Sequence, residues 1–400
     1  MDSLDVIIIG AGASGCAAAD RLSEKYPDKS IAVCEKNRSI GEEQSGHNSG
    51  VDHVRYQHHP KSLKSRLRGK SPISLKDFSA KYGIAYKTVG KLVVAMNDSE
   101  ALQLLRYKEN ADAAGRETGI PIETELLSRA QARKLEPNIA CVTALHTPKT
   151  GIVDAAAYVR KLADLAEEKG VTILKEAPIM NVRPDGNGFI VQVRQGNNLS
   201  GFQEYELRAN MVINAAGLYA DRIAKMVNQD FPYTILGLRG EYMKFNTHAR
   251  EELGMSGKCV YPVPTVIEGM FDEHGLAKRA AGNHLTPIFD GEGNISNWVW
   301  VGPLHKIVER KDDYATNRRT PQEFLLNLPF FQQLRENDLQ EEQTGIQVKI
   351  PNYDDWIIQR DAQYPNLVHY IEDSPGMSGS LDSSQYLLDA VIGRELFVRY

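Results

Sequence analysis

The sequence predicts an α/β fold, α+β overall: a doubly wound parallel-sheet domain interleaved with a second domain of mixed or antiparallel sheet. Three observations lead there. The run Asp5 to Ile9 is apolar after its first residue, the mark of a strand buried on both faces. It runs into Gly10-Ala11-Gly12-Ala13-Ser14-Gly15, then a helical pattern over 14–25 and a second strand from Ser30 to Glu35. The chain therefore opens with a β-α-β unit of about 30 residues. Strand-to-glycine-to-helix junctions recur far downstream, at Gly217 and at Gly376, so one unit draws on the start, middle and end of the chain.

Composition bounds the rest. With 400 residues, 42% of them apolar and 25% charged, the chain suits two domains with a sizeable core. A net charge of -5 offers no basic face for nucleic acid. Cys16, Cys34, Cys141 and Cys259 form no CxxC pair and stand at no zinc-like spacing, so no metal site is expected. Buried free thiols fit a reducing, cytoplasmic compartment. Asp2 and Asp5 stand where a signal peptide wants positive charge. No apolar run reaches the roughly 18 residues of a transmembrane helix.

The remaining elements follow in order. Residues 37–70 turn polar, with four histidines, and read as a long functional loop. Residues 76–110 read as helix, strand (Lys91 to Met96) and helix, and 123–136 carry a helical pattern. Ala155 to Gly170 has helical spacing. Strands follow at 171–175, 189–194 and 203–208, separated by turn signals at 185–188 and 196–198. Met211 to Ala215 is a short buried strand, and 218–228 looks helical. The stretch 240–310 is strand-rich, with 264–283 as an extended loop within it, and 321–336 mixes helix and loop. A closing helix spans 380–398, with Leu381, Leu387, Leu388, Val391 and Ile392 on its apolar face.

The chemistry starts at the first glycine cluster. Gly10 allows a tight turn, Gly12 lets backbone approach a pyrophosphate, and Gly15 lets helix and strand pack closely. Ala13 and Ser14 open a helix whose free N–H groups and positive dipole end favour phosphate. Glu35 lies about 20 residues past Gly15, where a carboxylate accepts from ribose hydroxyls and disfavours a 2′-phosphate; Lys36 follows it. A surface acid at a strand end is the plain alternative. Gly217 ends a strand and suits a second backbone approach to the dinucleotide. The run Ser374-Pro375-Gly376-Met377-Ser378-Gly379-Ser380 feeds the last helix, whose N-terminus suits the anionic edge of a reduced flavin. Ser378 or Ser380 as a simple cap is the alternative. An NAD enzyme would leave the Gly217 and Gly376 sites unexplained, so FAD is the expected cofactor.

Further islands run along nearly the whole chain. They are His47-Asn48-Ser49-Gly50-Val51, His53, Ser62-Leu63-Lys64 with Arg66-Leu67, Gly90 to Ala95, Thr150 to Asp154, Ala216 to Ile223, Arg239-Gly240-Glu241-Tyr242, Tyr261 to Pro264, His284-Leu285-Thr286, Gly302-Pro303 and Glu372 to Gly376. In these the chain resembles the D-amino-acid-oxidase-type flavoproteins, and within them the L-2-hydroxyglutarate dehydrogenase/oxidase family.

The resemblance implies a Rossmann-like FAD-binding domain and oxidation of a small, carboxylate-bearing L-2-hydroxy acid to a 2-oxo acid, with oxygen or a quinone as electron acceptor. It implies non-covalent FAD held by the three glycine sites with Ser45, His47, Asn48 and Ser49. Hydride leaves the substrate α-carbon for flavin N5, and a base takes the hydroxyl proton. Either His53 or His284 fits as that base. Arg239 is a carboxylate fork or a structural pin through Glu241. Tyr242 and Tyr261 offer hydroxyls to substrate or simply pack. Lys349 is a further candidate cation.

The chain also departs from the family pattern. Arg55 replaces a small residue close to where the flavin should lie. Gln347 stands near an expected arginine, and the 264–283 segment is longer, with Lys278 and Arg279. These changes bear on the substrate and leave two alternatives: a C–N-oxidising amine or amino-acid enzyme of the same superfamily, or a flavoprotein whose pocket Arg55 blocks and which serves to bind a partner. The expected division is an FAD domain from 1–80, 150–235 and 345–400, and a substrate domain from 81–149 and 236–344.

Overall fold

The structure is a computed structural model and describes residues 3–197, 201–273, 275–393 and 396. Strand β1 (Ser3–Ile9) lies between strand β2 (Ile31–Cys34) and the end of a long strand, Gly201–Asn214, parallel to both; Ile8 faces Val33 on one side and Ile213 on the other. Thr172–Leu174 continues the parallel set beyond β2, and Leu367–Ile371 continues it beyond Asn214. The alternation of a strand explains the two-sided burial. Val6 and Ile8 point into one cluster with Cys16, Ala17, Leu22, Tyr158, Leu162 and Leu381; Ile7 and Ile9 point into another with Val212, Ile223 and Val227. Each fully buried isoleucine contributes about 1.5–3 kcal/mol.

Helix α1 (Ala13–Lys25) covers the first face. Its run Cys16-Ala17-Ala18-Ala19 carries little bulk, so the helix lies close against both the sheet and the last helix, Gly376–Tyr386. The start of Gly201–Asn214 leaves the parallel core and pairs antiparallel with Gly188–Asn197, which pairs with Ile179–Asp185.

A second eight-stranded sheet runs Gln340–Lys349, Leu236–Asn246, Ile295–Val308, His284–Phe289, Cys259–Pro262, Lys91–Ala95, Thr143–Thr147 and Glu125–Ser128. Every neighbour is antiparallel except Cys259–Pro262 with Lys91–Ala95. The mixed α/β class with interleaved segments is thus as expected.

Several local expectations need correction. The 264–283 loop is an antiparallel hairpin, Thr265–Phe271 with Ala277–Ala280, because it can hydrogen-bond to itself. Its pattern was masked by Pro264 and glycines. The 37–70 loop contains a two-residue strand, Val51–Asp52, and one helical turn, Leu63–Arg66, capped by Ser62. Residues 125–128 of the expected 123–136 helix pair as an edge strand, and the helix starts only at Arg129, behind a Ser128 capping box. The closing helix starts earlier, at Gly376, and passes into a π-helical stretch over Leu387–Ile392. Residue 198 of the 196–198 turn, and residues 394–395 and 397–398 of the closing helix, lie outside the described residues.

Candidate active site

The turn after β1 is built by backbone packed on backbone. Gly10 has φ +102°, and a Cβ there would lie 2.5 Å from the Ala215 carbonyl oxygen; one on Gly15 would lie 1.9 Å from that of Gly10. The N-cap residue of α1, Gly12, has no side chain to cap it. Its Ala13 N–H donates to Ser45 Oγ at 2.9 Å. Glu35 is buried, with Oε2 accepting from Ala11 N–H at 2.9 Å and Oε1 from Asn37 N–H at 2.8 Å. Each carboxylate oxygen keeps a further lone pair. Burial raises this carboxyl group, and the two backbone donors oppose the rise. Lys36 pairs with Glu43 and sits 5.1 Å above the Tyr219 ring.

Two cavities meet at the α1 N-terminus. One, of about 310 Å³, is lined by Gly10, Gly12, Glu35, Lys36 and Gly217. The other, of about 570 Å³, is lined by His47, His53, His284, Lys349 and Gly376 among others. Both share Ala13, Ser14, Gln44, Ser45 and Glu372. A nucleoside chamber, a waist at a free helix N-terminus and a larger chamber form the sequence of environments an extended dinucleotide needs. The glycine cradle and the buried Glu35 suit FAD in chemistry as well as place. At the waist, Glu372 Oε2 accepts from Ser14 Oγ at 2.5 Å, and Oε1 has no partner. Burial pushes the Glu372 carboxyl up to about 7.

Ser45, His47, Asn48 and Ser49 all line the larger chamber. Asn48 ties its own loop, donating to the Ser45 carbonyl at 2.6 Å and accepting from Gly50 N–H at 2.8 Å. Gly345 lets the strand Gln340–Lys349 press against this loop; a Cβ there would lie 2.1 Å from the His47 carbonyl oxygen. Gly376, Met377 and Ser378 line the same chamber, and no side chain caps their helix. Ser378 and Ser380 donate instead to the Pro375 and Met377 carbonyls.

His53 and His284 come together on one wall. The Tyr261 ring is stacked on His284 at 3.7 Å between centroids and meets His53 edge-on at 6.3 Å. His284 Nδ1 lies 2.9 Å from the Gly282 carbonyl oxygen, so Nδ1 carries the proton and donates, and Nε2 is a bare lone pair. That Nε2 is buried and has no partner. Burial lowers the His284 pKa to about 3, against the Gly282 bond, so the ring is neutral. His53 is also held well below its ordinary value, by burial and then by the Lys91 ammonium. The Tyr261 hydroxyl makes no bond that meets hydrogen-bond geometry, though Ser49 and Thr286 are near it. Tyr242 lines the chamber beside Ser49.

Lys349 lines the chamber and pairs with Asp373 at 2.9 Å; Lys64 meets the same carboxylate at 2.6 Å. Arg239 is not brought to the chamber. Its guanidinium is fully buried against Glu241 at 2.8 Å and Asp313 at 3.1 Å, the arrangement of a structural pin. Arg55 also points elsewhere. It pairs with Asp382 of the last helix and donates to the Lys64 carbonyl at 3.2 Å, so it does not line the cavity. Its φ of +55° is the left-handed region that favours glycine.

Sequence reasoning assigned no role to Lys91, His58, His305 or Glu372. Gln347 donates to His305 Nε2 at 3.0 Å on the chamber wall. Lys91 and Glu372 are buried and His58 and His305 line the chamber, and spacing reveals neither. No helix among the described residues is long and apolar enough to cross a membrane.

The fold and the two joined chambers together define an FAD-dependent oxidoreductase. The chain belongs to the DAO family of FAD-dependent oxidoreductases, whose family model matches residues 5–381. It is 31% identical over 310 residues to the L-2-hydroxyglutarate dehydrogenase of Escherichia coli strain K12, covering 78% of this chain and 66% of that protein. It is 30% identical over 323 residues to the mitochondrial L-2-hydroxyglutarate dehydrogenase of Homo sapiens, covering 78% and 63%. The chain thus spans just under two thirds of the length of these relatives. In structure it is similar to the FAD-bound, dithionite-reduced L-alpha-glycerophosphate oxidase of Mycoplasma pneumoniae, with TM-score 0.78, 22% identity and coverage of 97% and 95%. It is also similar to the glycine oxidase of Bacillus cereus, with TM-score 0.71, 20% identity and coverage of 96% of each chain.

Proposed function

We propose that this oxidoreductase converts a small L-2-hydroxy acid, of the 2-hydroxyglutarate type, to the corresponding 2-oxo acid. The observation that carries the reading is His284 Nε2: a buried lone pair with no partner, in a tautomer set by the Gly282 carbonyl, on the wall of the larger chamber. A hydroxyl proton has a base waiting there. FAD held by the glycine turns would supply the hydride acceptor. As the C–H pair leaves the α-carbon, the hydroxyl proton passes to His284 Nε2 and the carbon–oxygen double bond forms. Lys349 uses one donor on Asp373 and keeps others for a substrate carboxylate, and Arg106 lines the same chamber. With Arg239 withdrawn, these two are the proposed carboxylate contacts, and Tyr242 lines the same chamber near Ser49.

The names of the relatives support the 2-hydroxy acid. The turn of Arg55 away from the chamber, to a buried pairing with Asp382, speaks against a blocked, purely binding flavoprotein. Oxygen or a quinone is the proposed acceptor, and four buried free cysteines support a cytoplasmic placement. The segments 1–80, 150–235 and 345–400 are proposed as the FAD unit, and 81–149 and 236–344 as the substrate unit.

The test is anaerobic spectroscopy of the purified protein near 450 nm. Bleaching by L-2-hydroxyglutarate or a related 2-hydroxy acid is expected. Bleaching by amino acids alone would replace the reading with C–N oxidation.

A further inference from the structure

The strand Lys91–Ala95 places a lysine behind the histidine pair, and nothing so far accounts for it. Lys91 is 1% exposed and does not line the chamber. Among the described residues it forms no ion pair with a carboxylate. Its Nζ lies 3.4 Å from His53 Nδ1 and 4.8 Å from the ring centroids of both Tyr56 and Tyr261. The groups around it are His53 from the 53–59 segment, Tyr56, then Cys259 and Tyr261 from the neighbouring strand, and His284 beyond Tyr261. None is a carboxylate. Two aromatic faces and one imidazole nitrogen hold the ammonium.

We propose that Lys91 is a positioning residue that fixes the tautomer of His53, so that the two chamber histidines present opposite groups to the substrate. An ammonium has three donors and no acceptor, so the nitrogen it meets must be the unprotonated one. His53 Nδ1 is therefore the lone pair and Nε2 carries the hydrogen. His53 lines the chamber, and its Nε2 bonds to no described residue. His284 is the converse, with Nδ1–H spent on Gly282 and a bare Nε2. One wall thus holds a donor and an acceptor at the two Nε2 atoms. On the reading of the site as a 2-hydroxy-acid oxidase, His284 takes the hydroxyl proton while His53 Nε2–H donates to a substrate oxygen. Both rings stay neutral before the proton moves. Tyr261 packs against His284 with its face and against Lys91 as well, which couples the two orientations.

This assignment has a signature that a packing role lacks. Burial without a carboxylate penalises a charge. Methionine fills similar space without that penalty. Replacing Lys91 with it should leave stability unchanged or raised while the site is impaired. Burial also lowers the Lys91 pKa to about 8, against an opposing effect from Cys259, so the lock opens as pH rises through that value.

The experiment compares FAD-loaded wild type, Lys91→Met and Lys91→Arg by ¹⁵N NMR of labelled histidines, with His53→Gln assigning the signal. The wild type should show His53 as the Nε2–H tautomer at pH 7. Lys91→Met should shift it towards Nδ1–H without lowering the urea midpoint, and Lys91→Arg should keep the wild-type pattern beyond pH 8. With a substrate that bleaches the flavin, kcat of Lys91→Met should fall by about 10- to 100-fold with KM nearly constant. An unaltered His53 tautomer in Lys91→Met, or a lowered urea midpoint with no tautomer change, overturns the proposal. The NMR measurement uses no substrate, so it decides the role of Lys91 even if no 2-hydroxy acid proves to be oxidised.

Discussion

Replacing His284 with asparagine tests the proposed chemistry most directly. Asparagine keeps the size class but offers no basic nitrogen. A positioned general base contributes about 10²- to 10⁴-fold, so kcat should fall by that factor, about 3–5 kcal/mol of barrier. The pH profile carries the sharper signature. In the free enzyme His284 titrates at about 3, so kcat/KM should show no acid limb near neutrality from this group. A bound substrate changes that. A carboxylate about 4 Å away, at an effective dielectric of about 20, favours the imidazolium by about 4 kcal/mol. At 1.36 kcal/mol for each tenfold, the pKa rises by about three, to about 6 in the complex. The acid limb of kcat should therefore lie near pH 6 while that of kcat/KM stays far lower. The assay is anaerobic stopped-flow bleaching of the flavin across pH 5–9 at saturating and limiting substrate. Wild-type kcat in His284→Asn, or one acid limb shared by both profiles that the substitution does not move, would refute a base role for His284.

Three other perturbations have defined outcomes. Glu372 titrates near 7 beside the α1 N-terminus, so FAD affinity should weaken as pH rises and a carboxylate comes to face the pyrophosphate site. Glu372→Gln should flatten the dependence of FAD Kd on pH, read by quenching of flavin fluorescence. Burial alone would raise the Asp373 carboxyl, but Lys349 and Lys64 reverse this and hold it well below its ordinary value. A depressed carboxyl stabilises the fold above the unfolded pKa of about 4 and loses that contribution as pH falls through its folded value. Asp373→Asn should cost about 3–5 kcal/mol at pH 7 in urea unfolding, because it takes from buried Lys349 its carboxylate and from buried Lys64 the nearer of two. Arg239→Met should likewise lower the urea midpoint by stranding buried Glu241, with KM for the 2-hydroxy acid unchanged. A large rise in KM at constant stability would instead make Arg239 the substrate's fork.

Much of the cofactor site was legible because its constraints are local. Gly10 and Gly15 had to be glycine because a Cβ at either would collide with backbone a few residues or one strand away. The apolar run after Asp5 reported a strand buried on both faces for the same local reason. Hairpin 265–280 and edge strand Glu125–Ser128 were not legible, since pairing with distant or irregular partners outweighed a weak local pattern.

The sequence by itself determined the fold class, the dinucleotide turn and the residues that could meet around it, because backbone sterics and periodicity act over a few positions. Only the tertiary structure decided which of those residues meet. It took Arg239 away from the chamber, since Glu241 and Asp313 supply its charge partners in the buried sheet. It turned Arg55 away from the chamber to Asp382. It brought His53, Tyr261 and His284 into one wall with Lys91 behind it, and the partners met there, a carbonyl for one histidine and an ammonium for the other, fix which nitrogen of each carries a proton. Proton placement depends on how each imidazole is turned towards its partner in the folded wall, His53 to Lys91 38 positions along and His284 to the Gly282 carbonyl, and spacing along the chain does not report that orientation.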